Sequence, residues 1–221
     1  MHIPDGIING TTSAGYAAVA AGGLGVALRR TGAHLSEREV PLAALVAAFV
    51  FAAQMVNFPV IAGMSGHLLG GVLAAVLVGP ATGFVVISVV LLVQGLVFAD
   101  GGLSALGLNI VNMGLLGAIG GYALFRLVAR TLRGHDRGVA FAAATAAFVS
   151  VPLAAASFIV QFAIGGTADV SLGKVAVAMM GSHVLIGIGE SIITAVVVGA
   201  VMASRPDLVF GARLQSQDAP V

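Results

Sequence analysis

The sequence predicts an all-α, polytopic membrane helix bundle, and three observations predict it. Of 221 residues, 59% are apolar and only 9% are charged, with a mean hydropathy of +1.08. Soluble domains carry about 25% charged residues. Apolar runs of span length alternate with short polar or Gly/Pro-rich breaks. The basic residues cluster in alternate breaks. A soluble globular domain is excluded, and a net charge of +1 leaves no basic patch for nucleic acid. With no cysteine, disulfides, Cys-ligated zinc and iron–sulfur clusters are excluded as well. At roughly 20 residues per span, the chain has room for about six to eight membrane helices.

Taken in order, residues 1–12 lack the basic and apolar regions of a signal peptide. A first span covers 13–28 and ends at Arg29 and Arg30, and a second covers 40–56. A third, 59–78, is interrupted by Gly63, Gly66, Gly70 and Gly71, and Gly79-Pro80 closes it. Spans 82–98 and 103–128 flank the turn Asp100-Gly101-Gly102. The sixth, 139–164, contains Pro152, a kink signal, and the last is 172–203. Seven spans place all nine arginines (Arg29, Arg30, Arg38, Arg126, Arg130, Arg133, Arg137, Arg205 and Arg213) on one side and Lys174 on the other. Basic residues of short loops stay cytoplasmic. The expected topology is therefore N-terminus outside and C-terminus inside. The expected organisation is one transmembrane domain, 1–203, opened by an external metal-chelating segment, 1–12. A disordered cytoplasmic tail, 204–221, closes it.

That topology gathers the unusual polar residues at the external side. His67 sits among Gly63, Gly66, Gly70 and Gly71, a pattern for close packing or a re-entrant turn. It is either a packing histidine or a metal or substrate contact, and ionisable residues inside a membrane are functional by default. His2 is either an accident of an exposed terminus or part of a chelate. The Met1 amine, the His2 backbone nitrogen and the His2 imidazole can close fused five- and six-membered rings. His67 is an available fourth nitrogen, and all-nitrogen tetragonal sites suit Ni(II) or Cu(II). Asp5, in Ile3-Pro4-Asp5-Gly6, either orients an imidazole or closes a surface turn. Gln94, Asp100, Asn109 and Asn112 cluster near the same side, as interhelical glue or as support for a metal-bound loop. His183 and Glu190, seven apart, share a helix face and offer either a proton relay or a buried hydrogen bond. Small-residue steps at Ala43, Ala44, Ala47, Ala48 and Ala52 form either an internal packing stripe or a docking face. No Walker loop, H-E-x-x-H or G-x-S-x-G is present.

The opening Met1-His2-Ile3-Pro4-Asp5-Gly6, the block Ser65-Gly66-His67-Leu68-Leu69-Gly70-Gly71, and Asp100 to Leu103 followed by Gly107 to Gly114 resemble the CbiM/NikM family. These are substrate-binding membrane components of energy-coupling factor transporters for cobalt and nickel. The resemblance runs from Met1 to about Ala203. It implies a seven-helix fold, an extra N-terminal helix before a six-helix core, and metal ligation by Met1, His2 and His67. It implies a transmembrane coupling subunit, two cytoplasmic ATPase subunits and a small accessory membrane subunit as partners. It implies Ni²⁺ or Co²⁺ as transported substrate rather than a resident cofactor, a multi-pass place in the inner (plasma) membrane, and no enzymatic activity of the chain itself. The ATP would be hydrolysed by partners. Many cobalt members carry a Cys-Ser-His-Pro block where this chain has Met64-Ser65-Gly66-His67-Leu68, which favours nickel slightly. Against this importer component stand a secondary metal/proton transporter using His183 and Glu190, and a structural helix bundle.

Overall fold

In the computed structural model, which describes residues 1–34, 39–132, 135 and 137–217, the apolar runs become helices. In hydrocarbon every backbone polar group must be satisfied within the chain, and a helix does this locally. The helices are α1 (Gly10–His34), α2 (Val40–Gln54), α3 (Gly71–Val78), α4 (Pro80–Val97) and α5 (Leu106–Asn109). A π-helical stretch, Ile110–Gly120, continues α5 into α6 (Gly121–Thr131). Then follow α7 (Gly138–Gly165), α8 (Leu172–Ser204) and α9 (Phe210–Gln217). Among the described residues, five stretches are long and apolar enough to cross a membrane: 10–33, 80–97, 106–131, 138–165 and 172–204. α2 is apolar but has only 15 residues. Large apolar side chains such as Leu45, Val177, Leu185 and Val196 point outward, as a lipid solvent requires.

Two expectations are corrected. The third span, 59–78, is not one helix. It divides into an antiparallel hairpin, β1 (Phe58–Ile61) and β2 (Met64–Gly66), a strap from His67 to Gly70, and the eight-residue α3. The turn between the strands has positive φ at both Ala62 (50°) and Gly63 (81°), the requirement of a tight hairpin turn. Gly70 (φ 73°) then redirects the chain into α3. Apolar content alone does not distinguish such a segment from a helix. The tail is likewise not disordered throughout. Pro206–Leu208 forms a 3₁₀ turn and 210–217 forms α9, where Phe210 packs near Tyr122, with ring centroids 6.1 Å apart. Residues 218–221, and the topology markers Arg38 and Arg133, lie outside the described residues.

α7 runs through Pro152 as one helix. Proline has no N–H, so the Phe148 carbonyl loses its helical donor. That oxygen lies against α8 at Gly187, 3.0 Å from where a β-carbon would sit. α3 is the buried centre, with every residue from Gly71 to Leu77 inside. At Gly71 a β-carbon would fall 2.6 Å from the Gly117 backbone, so α3 and the π-helical stretch touch main chain to main chain.

The two ends of the bundle differ. One gathers residues 1–9, the hairpin, the turn after α4 and the α7–α8 connection, where Asn9 N–H donates to Gly165 O at 2.7 Å. The other gathers Arg30, Gly79 and Phe210 around one cavity, and Arg213 pairs with Glu39 at 2.8 Å.

Candidate metal centre

The N-terminus is folded into the first of these ends. Met1 and Ile3 are fully buried and His2 is 3% exposed. The chain is held there as if it were a third strand. Ser65 N–H donates to His2 O at 3.3 Å, and Gly102 N–H donates to Ile3 O at 2.9 Å. Asn109, at the end of α5, completes the cradle. Its Oδ1 accepts Ile3 N–H at 3.0 Å and its Nδ2 donates to Ile3 O at 3.3 Å.

This cradle brings the Met1 amine into direct contact with His67 Nε2. The amine also points at Met113 Sδ, 3.8 Å away. His67 Nδ1–H donates to Leu68 O at 2.6 Å, so Nε2 carries the lone pair. The His2 and His67 rings lie 4.3 Å apart between centroids. His2 Nε2 lies 3.2 Å from Gln94 Oε1. Nδ1 lies 2.9 Å from Asp100 Oδ1. Nδ1 is also the nitrogen that closes a six-membered ring with the His2 amide. Asn57 Nδ2 donates to the other Asp100 oxygen at 2.9 Å.

Burial lowers the proton affinity of the Met1 amine and of His2. The amine is held well below its usual value, chiefly by desolvation. Desolvation lowers His2 against the opposing pull of Asp100. Burial raises the Asp100 carboxyl, but His2, the amine and Asn57 outweigh it and hold it below the usual range. Three nitrogen donors thus lie beside one carboxylate. Among the described residues no three His, Cys, Asp or Glu side chains are grouped to hold a metal ion. A site here draws on the main chain, through the amine and the His2 amide, whose N–H lies 3.4 Å from Ser65 Oγ.

The remaining candidates lie at varying distances from this cluster. Asp5 caps the turn after α4, accepting Ser104 N–H at 2.8 Å and Ser104 Oγ–H at 2.6 Å, and those bonds lower its carboxyl. Asn112 turns away from the N-terminus and bonds Gln161 and Ser157 of α7. His183 is fully buried in α8, with Nδ1 on Met179 O at 2.8 Å. Glu190 does not meet it, because its two oxygens accept the N–H groups of Leu69 and Gly70. On α2, Ala44, Ala48 and Ala52 are exposed while Ala43 and Ala47 turn partly inward. Met113, Asn57, Gln54 and Ser104 escaped the sequence reading. Gln54 had a signal, being an amide within an apolar run, whereas Met113 looks like any core methionine.

The chain is similar to known metal transport proteins. Residues 2–208 match the family CbiM, described as the cobalt uptake substrate-specific transmembrane region. A protein of Haloquadratum walsbyi is 38% identical over 212 residues, covering 95% of this chain and 94% of its own length. The fused nickel transport protein NikMN of Rhodobacter capsulatus is 34% identical over 221 residues, 95% of this chain. The chain spans 64% of that longer protein. A solved structure described as a truncated transition metal transporter superposes with a TM-score of 0.85 at 29% identity, covering 92% of this chain and 99% of the other.

Proposed function

Because the chain belongs to the CbiM family of the cobalt and nickel transport proteins, we propose that it is the ion-capturing membrane component of an ATP-driven importer of Ni²⁺ or Co²⁺. The observation that carries this is the buried Met1 amine held against His67 Nε2, with the buried His2 ring 4.3 Å from that of His67. The ion is captured by four nitrogens: the Met1 amine, the deprotonated His2 amide, His2 Nδ1 and His67 Nε2. Amide deprotonation favours Ni²⁺, and the absence of the cobalt-type Cys-Ser-His-Pro block leans the same way. Asp100 and Gln94 fix the His2 ring, and Leu68 O fixes that of His67.

The chain has no ATP site of its own and depends on a coupling subunit, two cytoplasmic ATPases and, in some assemblies, a small accessory membrane subunit. It crosses the plasma (inner) membrane seven times, the third crossing being made by the strap and α3. The metal centre faces out and the arginine-bearing end faces the cytoplasm, in accord with the charge rule. Ala44, Ala48 and Ala52 offer the coupling subunit a smooth face of α2.

The test is calorimetric titration of Ni²⁺, then Co²⁺, into detergent-purified protein with a free native Met1 and any tag at the C-terminus. Tight one-to-one binding is expected, with Ni²⁺ the tighter ion. No binding to folded, metal-free protein would sink the proposal. Uptake by the chain alone in liposomes under an imposed proton gradient would favour the secondary-transporter reading instead.

A further inference from the structure

The strap from His67 to Gly70 is irregular backbone inside an apolar bundle, so each of its polar groups needs a partner. Two partners come from α8. Glu190, 2% exposed, accepts Leu69 N–H at 2.5 Å and Gly70 N–H at 2.6 Å, one on each carboxyl oxygen. A third comes from the other side, where Gln54 of α2 donates Nε2–H to Leu69 O at 2.7 Å. α3 begins at Gly71 with no side-chain cap from its own Gly70, so Glu190, 120 residues from Gly70, lies at its N-terminus instead. The carbonyl one peptide upstream, Leu68 O, is the one that holds His67 Nδ1. Sterics leave the strap little slack. A β-carbon at Gly66 would be 3.0 Å from Ile186 of α8, and one at Gly70 would be 2.8 Å from Val50 of α2.

From this chain of contacts we infer that Glu190 is a positioning residue of the metal centre. Its carboxyl group fixes the strap so that His67 Nε2 stays at the fourth coordination position, facing the Met1 amine. This rests on the metal-capture reading above. It also explains a carboxyl group deep in α8 without a proton relay, since both oxygens are committed to main-chain donors. A glutamine in its place offers only one acceptor oxygen, and its amide N–H₂ would confront an N–H donor.

The experiment compares wild type, Glu190→Gln, His67→Ala and the double variant as full-length protein with a free Met1. Ni²⁺ affinity is read by calorimetry. The number of coordinating nitrogens is read from the superhyperfine pattern of the Cu²⁺ electron paramagnetic resonance spectrum. Loss of an outer-shell partner typically weakens metal binding about 10–100-fold. The expected result is a loss in that range for Glu190→Gln, a shift from four nitrogens toward three, and a double variant no weaker than His67→Ala alone. A merely structural carboxyl would leave the nitrogen count alone. Four nitrogens retained in Glu190→Gln, or losses that multiply in the double variant, would overturn the inference. Should Glu190→Gln fail to fold, Gln54→Met removes the opposite anchor of the strap, and an unchanged four-nitrogen spectrum there would overturn it equally. Failure of the wild type to bind either ion would overturn the proposed function and this inference together. A four-nitrogen wild type with an indifferent Glu190→Gln would overturn this inference alone.

Discussion

The strap around His67 and the middle of α8 around His183 present the same imidazole in two settings. Both side chains are buried, at 1% and 0% exposure. Both tie Nδ1 to a main-chain carbonyl, Leu68 O at 2.6 Å and Met179 O at 2.8 Å, leaving Nε2 as the lone-pair nitrogen. His67 Nε2 meets the Met1 amine, whereas His183 Nε2 has no hydrogen-bond partner among the described residues. The backbone makes the difference. In α8 the helix satisfies its own N–H and C=O groups and asks nothing of other segments. The hairpin leaves an edge, and the N-terminal segment pairs with it at Ser65, carrying its amine to the strap. Irregular backbone inside a membrane is costly unless it is paired, and here that demand assembles the candidate site.

The sharpest way to break this contrast is to remove the amine. One residue added before Met1, or acetylation of the amine, is expected to abolish calorimetric Ni²⁺ binding, because Met1 is fully buried with no room for an extension. Retained tight binding would mean that His67 is no more a ligand than His183. Next in size, His67→Ala should weaken Ni²⁺ by more than about 100-fold, beyond what outer-shell partners usually contribute. Its Cu²⁺ spectrum should show three nitrogens. His183→Ala should leave four, although the cavity left behind lowers the melting temperature, at a cost of about 2–4 kcal/mol. A lost nitrogen in the His183 variant would erase the distinction between the two regions. Asp100→Asn, which keeps size and removes charge beside His2, should weaken Ni²⁺ about tenfold, measured in the same titration.

The smallest effect concerns protons. An exposed amine near its ordinary pKa of about 8 would release its own proton on binding metal at pH 7, in addition to that of the amide. Here burial lowers the amine and His2. Fewer protons per Ni²⁺ than from an exposed Met-His terminus should therefore appear when titrations in buffers of different ionisation heat are compared. Release as large as that of a free Met-His peptide would show that burial does not lower the amine. The same depressed groups give the metal-free protein a pH dependence. The unfolded chain binds a proton that the folded chain refuses, so His2 erodes stability as pH falls below the ordinary imidazole value of about 6.5.

Much of this was legible in residue order. Apolar runs placed α1, α2, α4, α7 and α8 within a few residues, because a lipid-facing helix needs only length and hydrophobicity. The chelating capacity of Met1-His2 was legible too, since fused rings follow from covalent geometry. The 59–78 run was misread, because its apolar content hid a turn that depends on two consecutive positive φ angles. The tail was misread because Phe210 finds its place only once Tyr122 and Gly79 are nearby.

The sequence by itself therefore determined the solvent, the helical class and which nitrogens are candidate donors, all properties of local composition and covalent chemistry. Only the tertiary structure decided which donors meet. Met1 and His67 are 66 residues apart, and Glu190 reaches Leu69 across 121. Such pairings leave no periodic trace in the chain. They arise because a buried strap with unpaired main-chain groups must find its partners wherever the packing of distant helices puts them.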